Sequence, residues 1–127
     1  MKYGISKPVP YPYEKAVERV TEELKKEGFG VLTTIDVKAT LKQKLNVDFD
    51  KYVILGACNP PFAYQALQAE EEVGLLLPCN VTVHEKQGKT TVAAFAPMTI
   101  AQLSDNKELG RIAEDVENKI RKVLEAL

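Results

Sequence analysis

The stretch Tyr52-Val53-Ile54-Leu55-Gly56-Ala57 is apolar on both of its faces and runs directly into Cys58-Asn59-Pro60. No other feature constrains the fold as strongly. A strand with two apolar faces belongs inside a sheet and is expected to be covered on both sides. Asn59 suits an N-cap and Pro60 the first helical position, so the strand ends at Cys58 and a helix follows to about residue 70. Upstream, Ala16, Val17, Val20 and Leu24 recur at helical spacing and predict a helix over residues 13–27. Gly28 then takes the left-handed position and Phe29 folds back on Leu24, as in a Schellman motif. Residues 30–35 are β-branched and read as a strand. Asp36 is placed to cap a short helix to residue 45, with Val37, Leu41 and Leu45 on one side.

Before this core, residues 2–6 read as a short strand, and Pro8, Pro10 and Pro12 are expected to prevent regular pairing beyond it. Tyr11 and Tyr13, beside those prolines, are expected to anchor the arm to the core, the alternative being an exposed aromatic arm. Two strands are expected over 75–85, interrupted at Pro78, and over 90–96, joined by a turn at Lys86-Gln87-Gly88-Lys89. A last helix begins near Asp105, where Asp105 and Glu108 resemble a capping box. It carries the stripe Leu109, Ile112, Val116, Ile120, Val123 and Leu127. Alternating strands and helices, then a hairpin, then a closing helix indicate an α+β fold: one mixed or antiparallel sheet with helices packed on one face. The final stripe either fills that face or extends into a dimer contact.

The chain has 127 residues, the size of a single domain. Hydrophobic residues make up 45%, enough for a core, and the net charge of -1 excludes a bulk electrostatic nucleic-acid binder. No apolar run reaches the roughly 18 residues of a membrane span. The start Met1-Lys2-Tyr3-Gly4-Ile5-Ser6 has no apolar segment of a secretory signal. A soluble cytoplasmic protein is expected.

Cys58 is the side chain with most chemical potential. At a helix N-terminus the dipole and free N–H groups favour a thiolate, suited to nucleophilic or metal-binding work. A free cysteine more often simply fills space in a core. Strand alternation sets Cys79, Val81 and Val83 on one face and Asn80, Thr82 and His84 on the other, so His84 is read as a solvated strand residue. The cysteines match no zinc-finger spacing. With Asp36 they could still form a site in three dimensions. Gly28-Phe29-Gly30 follows a helix and is no dinucleotide fingerprint, and GxSxG, P-loop and HExxH motifs are absent.

Gly28-Phe29-Gly30-Val31-Leu32, Ile35-Asp36-Val37-Lys38, Ile54-Leu55-Gly56-Ala57-Cys58-Asn59-Pro60 and Gly74-Leu75-Leu76-Leu77-Pro78-Cys79-Asn80-Val81 closely resemble the family known as domain of unknown function 302, across essentially the whole chain. The resemblance implies a small α+β domain with a layout similar to the TATA-binding-protein-like fold, a homodimer, and a bacterial or archaeal source. Three functional readings are open. One is a small-ligand or metal site in a pocket lined by Asp36, Cys58, Asn59, Cys79 and Asn80. Another is a thiol enzyme or redox protein with Cys58 as nucleophile and Cys79 as resolving thiol. The last is a structural protein acting through its dimer surface.

Overall fold

A computed structural model describes residues 3–127. The elements are β1 (Gly4–Val9), α1 (Tyr13–Lys26), β2 (Gly30–Asp36), α2 (Val37–Leu45), β3 (Tyr52–Cys58), α3 (Pro60–Ala69), a 3-10 turn (Glu71–Leu76), β4 (Cys79–Lys86), β5 (Lys89–Phe95), α4 (Met98–Leu103) and α5 (Lys107–Glu125). Five strands form one sheet in the order β1-β5-β4-β3-β2, and every pairing is antiparallel. β1 and β2 occupy opposite edges, so α1 must cross the whole sheet between them. Four strand spacings make about 19 Å, and the 14 residues of α1 rise about 21 Å. Val9 lies at the Asp36 end of the sheet and Gly30 at the other, so α1 crosses on a diagonal and the short segments before and after it complete the span.

Alternation chooses the core face. Val53, Leu55 and Ala57 on β3 oppose Val83, Val81 and Cys79 on β4, which in turn lie beside Val92 and Ala94 on β5, and all are buried. Ala16, Val20 and Leu24 of α1 and Leu109, Ile112, Val116, Ile120 and Val123 of α5 close over them. The long stripe of α5 is therefore used inside the chain, and no part of it from Leu109 to Val123 is left for a dimer contact. The α1 terminus matches the expected Schellman geometry: Phe29 N–H donates to the Leu24 carbonyl at 2.9 Å and Gly28 N–H to Lys25 at 3.1 Å, with Gly28 at φ +87°.

Several expectations are corrected. Lys2, where the first strand was expected to begin, lies outside the described residues. β1 continues through Pro8, which opposes Thr91; an edge strand tolerates proline because half of its N–H groups face away from the sheet. β3 has helices over one face only. On the other, Tyr52 and Ile54 are half-buried, and Gly56 is covered by Thr33 and Pro78. Residues 75–78 are not strand. Val73 is the side chain of this segment that reaches the core, the chain makes a 3-10 turn around it, and Leu75 stays 82% exposed. α4 was not anticipated, its single buried side chain being Ile100. The cap of α5 is Asn106, not Asp105. Its Oδ1 accepts from Glu108 and Leu109 N–H at 3.0 and 3.3 Å, while its Nδ2 donates to the Ala69 carbonyl at 2.9 Å. A carboxylate could cap α5 but could not also donate to the end of α3.

Candidate functional site: an apolar cavity at the strand ends

The cavity is a consequence of strand register. Gly30 opposes Cys58, and Ala57 opposes Cys79, so the start of β2, the end of β3 and the start of β4 meet at one end of the sheet. α3, the 3-10 turn, α4 and α5 roof that end. α3 presents Ala63 and Ala66 inward, and α5 presents Ala113 between Leu109 and Val116. Such short side chains cannot fill the space between helices that larger neighbours hold apart, and a cavity of about 300 Å³ remains. Phe29 and Phe62 form part of its wall, and Leu32 and Leu67 line it while remaining 67% and 41% exposed, which marks its mouth.

Cys58 and Cys79 both line the cavity, Cys58 half-buried and Cys79 buried, and both are free thiols. Burial, reinforced by the proximity of Cys58, pushes the Cys79 thiol from its ordinary 9.0 up to about 11. Cys79 is thus a neutral, space-filling thiol near pH 7. Between pH 9 and 11 an unfolded chain releases this proton while the folded chain keeps it, so stability falls as pH rises through that window. The stability difference between wild type and Cys79→Ala, measured by urea unfolding, is expected to shrink by about 2 kcal/mol between pH 8 and pH 11. A constant difference refutes the buried thiol.

Asn59 lines the cavity too, but it does not cap α3. Its side chain is buried and donates from Nδ2 to the Glu27 carbonyl at 3.2 Å. Gly28 lies directly against that amide: a Cβ there would stand 3.2 Å from Nδ2. Asn59 therefore ties the end of α1 to the start of α3. The helix end beside Cys58 is also a poorer anion site than expected. Pro60 and Pro61 occupy its first turn, and two of the positions that normally offer free N–H groups have none.

The remaining expected site residues lie elsewhere. Asp36 opposes Val53 at the far end of β2, about 17 Å along the ladder from the Gly30–Cys58 pair. There it caps α2, accepting from Ala39 N–H at 2.9 Å. Asn80 opposes Gly56 and is exposed on the sheet's open face, the opposite side from Cys79. His84 stacks on Tyr52 with ring centroids 5.4 Å apart, also at the end of the sheet remote from the cysteines. Among the described residues no three His, Cys, Asp or Glu side chains gather as metal ligands. The residues missed from the sequence are hydrocarbon: Ala66, Ile100, Ile112 and Ala113. The spacing of small residues on α3, at Ala63 and Ala66, was the available signal.

Comparison with known proteins agrees with this fold. The crystal structure of an uncharacterized conserved protein DUF302 from Bacillus stearothermophilus superposes with a TM-score of 0.90 at 32% identity, covering 97% of this chain and 96% of that one. No curated protein sequence matches. Among the described residues no helix is long and apolar enough to cross a membrane. The model of the family described as domain of unknown function DUF302 matches residues 5–127, and the chain belongs to that family.

Proposed function

We propose that the protein binds a small apolar molecule in the cavity between the strand ends and α3, α4 and α5. One observation carries this reading: a cavity of about 300 Å³ in which, among the described residues, Asn59 is the only amide or charged side chain, with one of its N–H groups donated to the Glu27 carbonyl. At roughly 30 Å³ per water-sized group, such a space takes on the order of ten heavy atoms. Water entering it finds almost no hydrogen-bond partners, so a hydrocarbon occupant is favoured. The same facts weigh against the metal and thiol readings. The pair Cys58/Cys79 lacks a third ligand because Asp36 is remote, and neither His84 nor a free helix end is at hand to make a thiolate.

The test is calorimetric titration of 1-octanol into wild type and Ala66→Phe. Wild type is expected to bind with a negative heat-capacity change. At a hundredfold excess over Kd the ligand adds about 2.7 kcal/mol of stability, a rise of roughly 10 °C in melting temperature for a domain of this size. The phenyl ring of Ala66→Phe occupies the cavity and is expected to remove binding while the variant still melts cooperatively. Absence of binding to wild type, or equal binding by both proteins, overturns the proposal.

A further inference from the structure

We infer that the cavity selects ligands with an uncharged head group and excludes carboxylate- or phosphate-headed amphiphiles of the same chain length; this rests on the apolar-ligand reading above. A ligand of medium chain length places its hydrocarbon inside and its head at the mouth, so the groups at the mouth set the head-group class. From Tyr52 to Glu85 the sequence contains no lysine or arginine. That stretch supplies β3, α3, the 3-10 turn and nearly all of β4, which is the sheet end and one whole wall of the site. An anion would need donors in place of water. The N-terminus of α3 would be the natural source, but Pro60 and Pro61 remove N–H groups there. One N–H of the Asn59 amide is spent on the Glu27 carbonyl, and the single amide donor that remains cannot replace the hydration of an anion.

The mouth itself repels anions. Leu32 and Leu67 form it, and a Cβ on Gly74 would touch Leu67 at 3.8 Å, so the 3-10 turn borders it directly. On that turn Glu71 and Glu72 are exposed beside the cavity residue Val73, and Glu70 precedes them. Three of the five cations of α5 already face carboxylates: Arg111 is paired with Glu108, Lys119 with Glu27 and Arg121 with Glu117, while Lys107 and Lys122 are exposed near the two ends of the helix.

Three ligands with the same eight-carbon skeleton separate head-group charge from size: 1-octanol, methyl octanoate and octanoate. They are titrated calorimetrically into the full chain at pH 8 and low salt. 1-Octanol and methyl octanoate are expected to bind with affinities close to each other, and octanoate at least tenfold more weakly. Glu71→Gln/Glu72→Gln, at exposed positions that leave the fold intact, is expected to narrow the gap, as is raising the salt. A gap of less than tenfold, or tighter binding of octanoate, overturns this inference while leaving the apolar site standing. Failure of all three to bind overturns the site as well.

Discussion

Gly56→Ala is expected to lower stability by about 2–3 kcal/mol, and Gly56→Val by more. Gly56 is buried in β3, opposed by Thr33 on β2 and by Asn80 on β4. A Cβ at this position would lie 2.1 Å from the Thr33 hydroxyl oxygen and 3.0 Å from Cγ of Pro78. Both distances are below van der Waals contact, so the neighbours must move. Thr33 can yield in part by changing rotamer, but Pro78 is a ring held between Leu77 and the first residue of β4, and it also lines the cavity. Thr33→Ala in the Gly56→Ala background is therefore expected to recover part of the loss, with the Pro78 share persisting. Urea unfolding of the four proteins of this cycle gives the coupling directly, expected at about 1 kcal/mol or more. A loss of under about 0.5 kcal/mol for Gly56→Ala, the scale of an unconstrained surface change, contradicts the packing described.

What could be read from the chain alone divides along physical lines. Features set by local chemistry were legible. Gly28 and Phe29 end α1 because only a residue tolerant of positive φ can make that turn, and Asp36 caps α2 through a bond three residues long. Alternation along β4 placed Cys79 and Asn80 on opposite faces, and the register bears this out. Features that depend on a distant partner were not legible. Asn59 resembles an N-cap in every local respect, yet its amide turns to Glu27 across 32 positions of sequence. Asn106 is the α5 cap because it also reaches Ala69, a contact invisible to a capping pattern built on Asp105. The expected set of site residues is divided in space for the same reason. Cys58 and Cys79 do face one cavity, but Asp36 is carried to the other end of β2 by the strand's own length. A void has no motif. It arises where Ala66 on α3 and Ala113 on α5 line the same space, which is fixed by helix packing rather than by any residue's neighbours in sequence.

Leu109→Ala is expected to cost about 3 kcal/mol and at the same time to enlarge the ligand that the protein accepts. Leu109 is 2% exposed, packs into the core and lines the cavity. Its truncation removes buried hydrocarbon, and the space released joins a void that the surrounding helices already fail to close, so little collapse can recover the loss. The appropriate control is Ile120→Ala. Ile120 sits on the same helix at 1% exposure but is not part of the cavity wall. Both variants are expected to lose comparable stability in urea, because both delete a well-buried aliphatic side chain. They should differ in their response to ligand. In Leu109→Ala the affinity for 1-decanol relative to 1-octanol is expected to rise severalfold over wild type, and saturating decanol to restore part of the lost stability, since a ligand that binds only the folded state stabilises it by mass action. In Ile120→Ala that ratio is expected to stay at the wild-type value, because the hole it leaves is separate from the site. Equal ratios in the two variants would place the bound alcohol elsewhere on the molecule; a rise confined to Leu109→Ala places it against α5, where the void lies.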